Sequence, residues 1–107
     1  MLLSKFSEFK KGITATASGF YAPQGRELRI KPAIENLHQK MNTFKFEGNR
    51  ITNFEMESSA LYYLGQTLGH NTLTICAIIG NRLTKEYSKD YKKTVEKMID
   101  LVLNRIC

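Results

Sequence analysis

The stretch Leu73-Thr74-Ile75-Cys76-Ala77-Ile78-Ile79, ended by Gly80-Asn81-Arg82, constrains this chain more than any other part of it. It is apolar at nearly every position, so it does not alternate as a half-exposed strand would. Such a run is expected of a central strand covered on both faces, as in sheets flanked by helices. A chain that buries this strand needs strands beside it and helices above and below.

The remaining segments supply both. Residues 12–17, Gly-Ile-Thr-Ala-Thr-Ala, read as a strand that Ser18-Gly19 interrupts. Residues 20–29 place Pro23 and Gly25 among polar and aromatic residues, which predicts a loop leaving the strand's C-terminal end. Pro32 suits the first position of a helix bearing Ile34, Leu37 and Met41 on one face. Gly48-Asn49 predicts a turn before a second strand over 51–55. From Glu57, Ala60, Leu61, Leu64 and Leu68 share a helical face, with Gly69 as the stop. Ser88 is the expected cap of a last helix striped by Tyr91, Val95, Met98 and Val102, joined by Ile99, Leu103 and Ile106. Strands alternating with helices give an α/β class, a layered sheet with flanking helices, and residues 1–107 form one domain.

Composition narrows the function classes. With 42% hydrophobic and 24% charged residues the chain is built to fold rather than to stay disordered. Its net charge of +6 comes from scattered lysines and arginines without an aromatic-interleaved motif, so no nucleic-acid partner is expected. Cys76 sits in the apolar run and Cys107 ends the chain, a distribution that favours a reducing, cytoplasmic setting over a disulfide framework. His38 and His70 have no companions at ligand spacing, so no metal is expected and both read as surface or helix-end residues. No stretch approaches the roughly 20 apolar residues a membrane helix needs.

Three short constellations follow predicted strands, where open α/β sheets gather ligands. Residues 20–26 offer the Phe20 ring, the Gln24 amide and the Arg26 guanidinium, a set that matches a planar heterocycle bearing carbonyl and imide groups. The same residues also suit an ordinary loop with a surface Gln and Arg. Glu55, Met56 and Glu57 put two carboxylates at a strand-to-helix junction, where exposed amides favour the charged form and sugar hydroxyls are suitable donors. Glu57 is equally at home as a first-turn residue that complements the helix dipole. Ile79-Gly80-Asn81-Arg82 leaves the apolar run and taken alone requires no function.

In order, these segments resemble the C-terminal part of the uridine phosphorylase group of the nucleoside phosphorylase superfamily, from about Gly12 to the end. The Glu-Met-Glu-Ser core followed by Ser59-Ala60-Leu61 carries the resemblance most specifically. It implies a partial nucleoside phosphorylase-like fold and a pentosyltransferase that cleaves uridine with phosphate to uracil and ribose 1-phosphate, in nucleoside catabolism and pyrimidine salvage. Gln24 and Arg26 would then bind the uracil edge, Phe20 and Ile79 would line the base pocket, and Glu55, Met56 and Glu57 would hold the ribose. Purine-cleaving relatives carry a Ser-Asp pair where this chain has Asn81-Arg82, which favours a pyrimidine. The resemblance implies no resident cofactor, only inorganic phosphate as co-substrate.

The departure from the family pattern is the phosphate site. Relatives supply it from an N-terminal segment and a neighbouring subunit, so here the phosphate-binding residues are unknown, Arg29 and Arg50 read as surface residues, and none is assigned as catalytic. The expected partners are the nucleoside and either a second copy of the chain or a complementing N-terminal half, with no membrane. The alternative is a catalytically silent, truncated nucleoside-binding domain.

Overall fold

A computed structural model describes residues 2–107, which divide into two compact units, 2–73 and 74–107. The first unit is built on a three-stranded sheet of order β1-β3-β2, with β1 Ile13–Thr16, β2 Lys45–Phe46 and β3 Asn49–Glu55. β1 and β3 run parallel, Thr14 beside Asn53 and Thr16 beside Glu55. Ahead of them the register shifts, since Ile13 lies opposite Ile51 and Thr52 has no opposite number. The bulge fits because residue 12 is glycine: a Cβ there would lie 2.2 Å from the Thr52 methyl. The strand at 12–17 and the strand at 51–55 are thus present, the second longer than expected.

β2 and β3 form a hairpin around Glu47 and Gly48, both with positive φ, 48° and 77°. Two such residues make the turn whose twist matches the flanking strands. The seven-residue helix α1, Leu37–Thr43, packs on β3 and carries Leu37 and Met41. It begins later than expected. Pro32 lies outside it, and Asn36, in the left-handed conformation at φ 53°, turns the chain immediately before the first helical residue. Ile34 is therefore not on the helix at all.

α2, Ser58–Thr67, packs on β1. Its end agrees with the glycine signal: Gly69 adopts φ 73°, its amide bonds Gln66 O at 3.2 Å, and the His70 amide bonds Gly65 O at 2.8 Å. That pair of bonds satisfies carbonyls that the helix leaves open. Phe6 and Ala17 are the buried apolar side chains among the described residues.

In the second unit, the apolar run does not form the central strand that its composition suggests. Residues 74–79 carry no ladder, because this unit offers only a short hairpin as a pairing partner. That hairpin pairs β4, Gly80–Asn81, with β5, Glu86–Tyr87, and gains a further bond from the Ser88 amide to Ile79 O at 2.9 Å. The Asn81 side chain accepts the Leu83 amide at 3.0 Å and so folds the loop back. α3, Tyr91–Ile106, is capped by Asp90, whose carboxylate accepts the Lys93 amide at 3.4 Å. Ser88 is not the cap, since its backbone is committed to the hairpin. Sheets and helices together make a mixed α/β structure. No described helix is long and apolar enough to cross a membrane.

Candidate functional site

Because β1 and β3 are parallel neighbours, both chains leave the sheet at the same end, joined there by the Ala17 amide bonding Glu55 O at 2.9 Å. Ligand sites of α/β sheets collect at such carboxyl ends. The loop over 18–29 departs from one strand, and the junction over 56–57 departs from the other.

Glu55 ties this end together. One carboxylate oxygen accepts the Glu57 and Ser58 amides at 2.8 and 2.6 Å, and the other accepts the Thr16 hydroxyl at 2.5 Å. The same Thr16 oxygen accepts the Ser59 amide at 3.0 Å. The carboxylate thus occupies the position of an anion at the start of α2, satisfying amides that no helical carbonyl can reach. Burial is the largest single influence on its pKa and acts upward. The hydrogen bonds from Thr16, Glu57 and Ser58 together outweigh it and hold the group below its ordinary value of 4.5.

Glu57, at the cap position of α2, makes no side-chain bond to the helix. Among the described residues its carboxylate accepts only the Met56 amide, at 3.3 Å, and it is exposed, as is Met56. Two carboxylates of identical chemistry therefore have different uses: Glu55 is consumed by the protein, and Glu57 remains available to accept hydroxyls.

The loop is shaped by its own residues. A short 3-10 turn over Ala22–Gln24 begins next to Pro23 and ends at Gly25, whose φ of 75° is left-handed. The Gly25 amide closes onto Ala22 O at 2.9 Å and the Arg26 amide onto Tyr21 O at 3.0 Å. The turn brings Phe20, Gln24 and Arg26 into one group. The guanidinium lies 3.6 Å from the centre of the Phe20 ring, and its Nη1 donates both to the Phe20 carbonyl and to the Gln24 amide oxygen, the latter at 2.9 Å. Gln24 is 4% exposed, whereas Phe20 presents about half its surface. The Nε and Nη2 donors of Arg26 make no protein bond among the described residues. A cavity of about 650 Å³ adjoins the loop, lined by Tyr21, Ala22, Arg26, Leu28, Arg29 and Ile30.

The family model of the phosphorylase superfamily matches residues 4–106. The chain belongs to that superfamily. Uridine phosphorylase of Thermococcus kodakarensis is 34% identical to it over 89 residues, covering 77% of this chain and 29% of that protein. The chain therefore spans under a third of the length of that relative. No solved structure matches it.

Within this phosphorylase-superfamily chain, Phe20, Gln24 and Arg26 form one cluster, and Glu55, Met56 and Glu57 another, at neighbouring strand ends. Ile79 lies in the unit over 74–107, where it is 54% exposed. Three residues at the junction were given no role from sequence: Thr16, Ser58 and Ser59. A signal for the first existed. Thr14 and Thr16 alternate along β1 as Asn53 and Glu55 do along β3, and the Thr14 hydroxyl reaches Asn53 at 3.0 Å just as Thr16 reaches Glu55. His38, read from sequence as a surface or helix-end residue, is the second residue of α1, and its ring meets both Gly25 and Phe54.

Proposed function

We propose that this chain carries the nucleoside-binding side of a uridine phosphorylase-type site, in which phosphate cleaves uridine to uracil and ribose 1-phosphate. The observation that carries the reading is the division between Glu55 and Glu57: one carboxylate fixes the strand end, and the other is left exposed where β3 leaves the sheet, next to the strand that leads into the loop over 20–26. The similarity to the archaeal uridine phosphorylase supports the choice of nucleoside.

In this reading Glu57 accepts hydroxyls of the ribose, with Met56 against the sugar and Glu55 holding the backbone from which both project. The open donors of Arg26, with the Gln24 amide, address the uracil carbonyls, and Phe20 borders the ring. Phosphate oxygen forms a bond to the anomeric carbon as the bond to the uracil nitrogen breaks, and the electron pair leaves with the base. Donors aimed at the uracil carbonyls then strengthen as negative charge accumulates there, which lowers the barrier.

Phosphate is the co-substrate, with no resident cofactor, and its contacts come in this proposal from another copy of the chain or a complementing one. The two units are parts of one phosphorylase domain whose complete sheet is layered between helices. The setting is the cytoplasm, in nucleoside catabolism and pyrimidine salvage.

The test is to incubate the purified chain with uridine, with and without phosphate, while following uracil release and titrating uridine binding. Phosphate-dependent release supports the whole reading, and phosphate-independent release refutes phosphorolysis. Binding without release leaves the nucleoside site and identifies a catalytically silent domain. Glu57→Ala should weaken uridine by about tenfold or more, as loss of hydrogen bonds to a charged acceptor does. Unchanged affinity would remove Glu57 from the ribose site.

A further inference from the structure

We propose that His38 is a positioning residue for base recognition: its ring wedges the Gln24-Gly25-Arg26 turn against the strand that carries the sugar-binding residues. The proposal rests on the nucleoside-binding reading above. His38 is the second residue of α1, half-buried, and touches two segments far from it in sequence. Its Nε2 lies 2.9 Å from the point where a Cβ on Gly25 would stand, with Cδ2 and Cε1 each at 3.3 Å. The ring therefore presses edge-on against the glycine between the two proposed base-binding side chains. The same ring meets Phe54 edge to face, with centroids 6.2 Å apart and planes at 84°. Phe54 immediately precedes Glu55.

A chain of contact thus runs from β3, through the Phe54 and His38 rings, to Gly25 and on to Arg26. The turn's internal hydrogen bonds fix its shape, but residue 25 has no side chain and a left-handed φ, so at that point the turn has no side chain of its own to fix its place against β3. The His38 ring supplies the missing surface. Neither of its nitrogens makes a protein hydrogen bond among the described residues, and the contacts it makes are those of the ring itself. Removing the ring should free Gln24 and Arg26 to move while Glu57 stays in place, because Thr16 and Glu55 hold α2 independently of α1.

The test compares the full chain with His38→Ala and His38→Phe, by amide NMR spectra without ligand and by titration with uracil and, separately, ribose 1-phosphate. In His38→Ala the amides of Gln24, Gly25 and Arg26 should shift or broaden while those of Glu57, Ser58 and Ser59 stay. Uracil affinity should fall about tenfold, ribose 1-phosphate affinity should not change, and His38→Phe, which restores a ring, should recover most of the loss. Equal loss of both ligands, or an unmoved turn in His38→Ala, overturns the proposal. If the unaltered chain binds neither ligand, the nucleoside reading fails on its own account. The ligand-free spectra then decide His38: a response confined to the turn upholds the wedge, and none refutes it.

Discussion

Glu55 and Glu57 stand two positions apart and differ only in what surrounds their carboxylates, yet that difference ties one into the protein and leaves the other exposed. The consequence for stability falls on Glu55. Its pKa is lowered in the folded chain, so its contribution is complete above the ordinary value of 4.5 and is lost as pH falls through the folded one. Chemical denaturation across pH 3 to 7 should therefore show stability declining toward the acid end, with a shallower decline in Glu55→Gln, which has no proton to gain. At neutral pH the same variant should be less stable by about 1 kcal/mol, near the lower end for charged acceptors because water reaches this half-buried group. The junction was legible in the sequence as two acids ahead of an apolar stripe. Which acid serves the protein was not, because that depends on Thr16, which parallel pairing brings from a distant segment.

At the scale of elements, local chemistry was legible where a single residue type sets the backbone. Gly69 marked the end of α2, and Gly48 marked the turn before β3. Starts were less legible, since several residues in a row can serve. α1 begins after Asn36 rather than at Pro32, and α3 takes Asp90 rather than Ser88 because the hairpin holds the Ser88 amide. Asp90→Ala should accordingly lower helix content and thermal stability, by at most about 1 kcal/mol, whereas Ser88→Ala should leave helix content unchanged. Circular dichroism melts of the two variants make the comparison. The run over 73–79 shows the limit of pattern: a sequence able to be a central strand becomes one only where other strands lie alongside it.

For the molecule as a whole, the buried apolar side chains among the described residues are Phe6 and Ala17, while Ile99, Leu101, Leu103 and Ile106 of α3 are exposed along with many others. Apolar surface on that scale favours association. Sedimentation over a concentration series should show an average mass rising above the monomer's, accompanied by binding of an apolar dye at low concentration. A constant monomer mass without dye binding would count against the proposed assembly. The Thr16–Glu55 bond joins positions separated by 39 residues. Closing a chain segment of that length costs about 3 kcal/mol in its length-dependent entropy alone. Folding meets that cost before any ligand arrives, so a nucleoside bound at this strand end as proposed would find its two banks already brought together, with none of its own affinity spent on joining them.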